Sequence, residues 1–170
     1  FILLDDARGE GAVDAHVFEH PRAVFVARPP GEVERVLAEA EAARRKSGGT
    51  LAGYLAYEAG LALEPRLFPL AAERTGADGP LVWFGLFAAP TPIPAAEVPA
   101  WLAQRSRSGA TSIGPLDPQI STGAYLEAFE QLQEAIRAGD IYQANLTFRL
   151  AGAARGDPVA LYAAIRPAAQ

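Results

Sequence analysis

Gln143, Asn145 and Thr147 set three hydrogen-bonding side chains at every second position of Gly139-Asp140-Ile141-Tyr142-Gln143-Ala144-Asn145-Leu146-Thr147-Phe148-Arg149-Leu150. Successive strand side chains point to opposite faces, so the alternation predicts a strand over 141–150. Tyr142, Ala144, Leu146, Phe148 and Leu150 would line its apolar face. Gln143, Asn145, Thr147 and Arg149 would line the polar one. Two readings stay open: a half-exposed antiparallel strand whose polar face meets water, or a polar network aimed at a ligand or a neighbouring layer. Buried amides and hydroxyls must find partners, so the second reading requires a built site.

The acidic and basic candidates carry less. Asp5 and Asp6 end an apolar strand, and as neighbours they face opposite ways, which suits a solvated turn better than a shared-proton pair. Glu58 has the type of a general base. No His, Lys or metal-ligand partner stands near it in sequence, so a carboxylate satisfied by hydrogen bonds at a strand end is the plainer reading. His16 and His20, the only histidines, flank Phe18 and precede Pro21, so they do not share a helix face, and no further zinc ligands are suggested. Phosphate-loop, dinucleotide and nucleophile-elbow motifs are absent from the sequence.

Composition narrows the class. The chain has 170 residues, half of them hydrophobic, with net charge -5, enough for one substantial core or two small ones. The one basic cluster, Arg44-Arg45-Lys46, falls at a predicted helix end where the macrodipole favours cations. A mildly acidic domain offers no footprint for phosphate backbones, so nucleic-acid binding is rejected. There are no cysteines, which fits a reducing cytoplasm, and neither a signal peptide nor a membrane-spanning run is read. There is also no methionine, and an apolar helical pattern stops at Gln170; a piece of a longer polypeptide is expected.

The elements that must position these residues follow from periodicity and punctuation. Strands are expected at 1–4, 23–27, 50–57 and 81–87, the last apolar on both faces and therefore central. Gly53 inside its strand predicts close approach of another backbone. Val33, Val36, Leu37 and Ala40 predict a helix that Ser47-Gly48-Gly49 ends. Six prolines between 88 and 118 predict a linker or crossing without sustained ladders, with a short helix around Trp101. Ser121 caps a helix whose Tyr125, Phe129, Leu132 and Ile136 form a stripe, read as core. Asp157 and Pro158 open a last helix. The division expected is 1–117 for a first domain, including the crossing at 88–118, and 118–170 for the start of a second.

Taken with the preceding helix, Ala138-Gly139-Asp140-Ile141-Tyr142-Gln143-Ala144-Asn145-Leu146-Thr147 resembles the opening of the chorismate-binding domain of aminodeoxychorismate synthase component I, anthranilate synthase component I and their relatives. Tyr54-Leu55-Ala56-Tyr57-Glu58-Ala59-Gly60 is similar to a segment of the N-terminal domain of bacterial aminodeoxychorismate synthases. Leu3-Leu4-Asp5-Asp6 stands where anthranilate synthases read Leu-Leu-Glu-Ser. Leu161-Tyr162-Ala163-Ala164-Ile165-Arg166 is similar to a helix that precedes a pocket-closing turn. The resemblance covers essentially the whole chain.

It implies an α+β fold, the N-terminal part of a two-sheet sandwich with flanking helices. An apolar sheet face would then lie uncovered. It implies an enzyme making 4-amino-4-deoxychorismate from chorismate and ammonia on the route to folate, with Mg2+ as cofactor and a glutamine amidotransferase subunit as partner. The family's lysine, histidine, arginines and metal-binding glutamates lie in its C-terminal two-thirds. No catalytic residue and no metal ligand is therefore expected within 1–170, which alone should be inactive. The resemblance also implies an ancillary pocket for an aromatic amino acid, tryptophan in some members, onto which Leu4, Asp6 and Phe18 map. Asp6 would pair with the ammonium group, and the missing serine favours the aminodeoxychorismate enzymes. The alternatives are anthranilate synthase component I and a non-catalytic aromatic-amino-acid binding module.

Overall fold

Two long antiparallel runs, each bent once, build the first half of the molecule. The computed structural model describes residues 1–74, 79–107 and 109–169; Gln170, where the last helical pattern stops, lies outside them. Strands β1 (Ile2–Leu4), β2 (Ala15–Phe18) and β3 (Ala23–Ala27) are followed by helix α1 (Val33–Ser47) and strand β4 (Thr50–Leu55). Two short helices, α2 (Ala59–Leu63) and α3 (Phe68–Arg74), lead to β5 (Val82–Phe87) and β6 (Thr91–Ile93). One sheet has the order β1-β2-β6 and the other β3-β5-β4, all pairs antiparallel. The run β2–β3 therefore pairs with the run β5–β6 on both sides of a corner, where it passes from one sheet to the other.

The corner has local causes. His20 takes a left-handed φ of 55°, Pro21 cannot donate, and Pro90 interrupts the opposite run. Ala15 lies opposite Ile93, whereas Ala23 lies opposite Leu86, so the register shifts by one residue across the bend. Bends of this kind let strands change sheets. They also let proline sit in a short ladder: β6 holds Pro92 in a three-residue strand, and α4 (Val98–Arg105) follows where a short helix around Trp101 is expected.

Both faces of β5 are used, as its sequence requires. On one side Val82 and Phe84 join Phe25, Ala27, Val33, Val36, Leu37, Ala59 and Ala62 in a core beneath α1 and α2. On the other, Phe87 and Ala52 meet Phe18 and Ile2 from the first sheet, with the Phe18 and Phe87 rings 5.4 Å apart. The rest of that second face is open: register aligns Val26, Trp83 and Tyr54, and both Val26 and Tyr54 are exposed. Gly53 behaves as its sequence implies, because a Cβ there would collide with the Trp83 carbonyl oxygen and stand 2.7 Å from the Phe84 Cα. The α1 terminus is also as read, with Gly48 left-handed at φ 67° and Arg44, Arg45 and Lys46 in the last turn.

The backbone divides into two compact units, one formed mainly by Phe1–Pro99 and the other by Ala100–Ala168. In the second, β7 (Ser112–Ile113) pairs with β10 (Ala154–Arg155), and β8 (Asp117–Pro118) pairs with β9 (Leu150–Ala151). Between these two ribbon halves lies helix α5 (Thr122–Ala138), and α6 (Pro158–Ile165) follows. Caps read from sequence are present: Ser121 accepts from the Ala124 N–H at 3.1 Å, Asp157 from the Ala160 N–H at 3.0 Å, and Gly139 ends α5 at φ 81°.

Two expectations are corrected here. The strand expected over 141–150 begins only at Leu150; residues 141–149 belong to no strand, the chain bends at Tyr142, and the Arg149 carbonyl accepts from the Gln119 N–H at 2.8 Å. Alternation fixes which way side chains point, whereas a strand exists only where a neighbour accepts and donates backbone bonds. The stripe on α5 is helical as spaced, yet no α5 residue is fully buried, and Phe129 and Ile136 are exposed. Periodicity identifies the face that seeks cover without supplying the cover. Helices and small antiparallel sheets together make the fold α+β.

Candidate functional site

At the end of β1 the register decides which candidates meet. Leu4 lies opposite His16, and Phe18 lies opposite Ile2. Phe18 is therefore two positions from Leu4, about 7 Å along the strand. Its ring is committed to the core against Phe87, while Leu4 and His16 are exposed. Phe18 and Leu4 share a strand face, two positions apart.

Asp6 is the most heavily bonded side chain in this region. Arg8 Nε donates to Oδ1 at 2.9 Å and to Oδ2 at 3.0 Å, and the Arg8 terminal nitrogen donates to Oδ2. The backbone N–H groups of Arg8 and Val13 donate to the same carboxylate, each at 3.2 Å. The Arg8 side chain first, then the Val13 and Arg8 backbone groups, hold the Asp6 carboxyl far below the usual carboxylate range. Arg8 was not singled out from sequence; its signal was the Asp-x-Arg spacing, which allows a fork to reach back over a turn.

In the second unit, α5 and the segment that follows it line shallow cavities. One, of about 220 Å³, is lined by Tyr125, Phe129, Gln133, Ile136, Asn145 and Leu146 among others. A second, of about 420 Å³, is lined by Pro118, Ile120, Ser121, Thr122, Tyr125 and Phe148. Tyr125 lines both, and its ring meets Phe148 edge-on at 5.6 Å. All three of the polar trio are exposed, and of them Asn145 lines a cavity. Tyr142 is 94% exposed, so the apolar face of the segment is only partly seated on the helix. Gln133, four residues after Phe129, is the polar group on this helix face that sequence reading passed over.

The segment 54–60 packs only through Ala56 and Ala59. Ala56 donates its N–H to the Leu81 carbonyl at 2.9 Å, and Ala59 is buried in the core. Glu58 stands before α2 without a side-chain capping bond, and Tyr57 is exposed. Among the described residues no group of three or more His, Cys, Asp or Glu side chains could hold a metal ion. Among the same residues no helix is long and apolar enough to cross a membrane.

The family profile described as chorismate binding enzyme matches residues 1–170, and the chain belongs to that family. Its members are chorismate-utilising enzymes, so family membership implies chorismate as substrate. No curated protein and no solved structure matches the chain.

Proposed function

We propose that this chain is the front part of an aminodeoxychorismate synthase component I, an enzyme that replaces the 4-hydroxyl of chorismate with ammonia to give 4-amino-4-deoxychorismate for folate synthesis. The observation that carries this reading is the family match over residues 1–170, joined to the Tyr54–Gly60 segment and to Asp5-Asp6 where the anthranilate enzymes have Glu-Ser. On this reading residues 1–170 supply sheet, helix and groove. The nucleophile, the acid–base groups and the Mg2+ ligands belong to residues beyond them, and ammonia comes from a glutamine amidotransferase subunit. The exposed Val26 and Tyr54 and the open faces of Phe129 and Ile136 support a role as packing surface.

Incubating the protein that carries this chain with chorismate, ammonium and Mg2+ tests the reading. The expected product is 4-amino-4-deoxychorismate, identified by mass and retention; glutamine should replace ammonium only with the amidotransferase subunit present. Residues 1–170 alone should leave chorismate unconsumed. Anthranilate as product would assign the sister enzyme. Calorimetric binding of tryptophan by residues 1–170, with no turnover by the longer protein, would assign a non-catalytic binding module.

A further inference from the structure

Asp6 has an environment that neither the proposed reaction nor the family explains. Its side chain is only 16% exposed, although Arg8, which grips it, is 63% exposed. A carboxylate offers about four lone-pair positions. Four N–H donors make five contacts, three from the Arg8 side chain and two from backbone groups, and occupy them. The donors come from both ends of the loop that joins β1 to β2, since Val13 lies seven residues beyond Asp6. That loop contains Gly9 and Gly11, the latter left-handed at φ 67°, so its backbone is free to wander unless something ties it.

We infer that Asp6 and Arg8 latch the β1–β2 loop, so that the carboxylate at the end of β1 is filled from within the chain and is not a receptor for an external ammonium or guanidinium group. Exposed ion pairs in general contribute little, but a guanidinium fork on both carboxylate oxygens, backed by two backbone donors, is the geometry in which they do contribute. An outside cation must also displace a group tethered two residues away, whose effective concentration is on the order of millimolar. The latch holds Asp6 in place for the loop, as a positioning residue, and it stands whichever chorismate reaction the protein catalyses.

Trypsin reads the latch directly, because cleavage after Arg8 requires that side chain to leave Asp6. In the full 170-residue chain, Asp6→Asn should raise the rate of cleavage at Arg8 by roughly tenfold relative to cleavage at Arg22, as expected when a locally held segment opens. Amide hydrogen exchange supplies a second measure that retains an internal folding reference at Leu86. Arg8→Lys keeps the charge and loses the fork, and should speed exchange at Val13 while leaving Leu86 unchanged. In Arg8→Ala, methylguanidinium should slow Val13 exchange again, and the unmodified chain should ignore it. Equal cleavage at Arg8 with and without Asp6, or Val13 exchange that no Arg8 variant alters, would overturn the inference. So would methylguanidinium protection of Val13 in the unmodified chain.

Discussion

Gly53→Ala and Gly60→Ala are the same substitution with opposite expected outcomes, and the difference is worked from neighbouring atoms. A strand glycine replaced by alanine gains about 0.5–1 kcal/mol from reduced backbone freedom. At Gly53 the new methyl meets the Trp83 carbonyl and the Phe84 Cα, both backbone atoms of the central strand β5. Neither can swing aside as a side-chain tip could, so overpacking of about 1–3 kcal/mol exceeds the gain. At Gly60, within α2, a Cβ meets nothing within 4 Å, and the gain of about 0.5–1 kcal/mol stands. With a urea m-value of about 2 kcal/mol/M, net losses of up to about 2.5 kcal/mol lower the Gly53→Ala midpoint by as much as 1.2 M, and Gly60→Ala raises it by about 0.3–0.5 M. Trp83 lies beside Gly53 in the sheet, so its fluorescence in a Trp101→Phe background follows the first unit alone. A Gly53→Ala midpoint at or above that of the parent chain would refute close backbone approach as the reason for glycine in this segment.

Phe87→Ala should cost about 3–5 kcal/mol, because a ring 1% exposed leaves a cavity between the two sheets and Phe18 loses its partner; the same fluorescence titration measures it. Glu41 is held down to about 2 by hydrogen bonds from the side chains of Arg44 and then Arg45. Its folded pKa lies below the unfolded one, so its stabilisation is complete above the ordinary carboxylate range and is lost as pH falls towards 2. Carboxyl NMR should give a Glu41 midpoint near 2 that returns to the ordinary range in Arg44→Gln/Arg45→Gln.

The sequence by itself determined the local features. Caps at Ser121 and Asp157, left-handed glycines at 48 and 139, the helix begun at Val33 and the two-faced strand at 82–87 each depend on neighbours a few residues away, and such interactions are written in spacing and residue type. The resemblance carried by Tyr54–Gly60 and 138–147 likewise pointed to the family that the comparison supports.

Tertiary structure alone decided which faces found cover and which groups met. The corner at His20-Pro21 hands two strands from one sheet to the other, and its one-residue register shift depends on pairs more than sixty residues apart. The strand expected over 141–150 shows the limit from the other side: its alternation is intact, but backbone donors make a ladder only where another segment presents acceptors. Asp6 reads alike as turn residue or cation receptor until the chain folds. Only the positions of Arg8 and Val13 in space, set by the path of the loop between them, commit its oxygens.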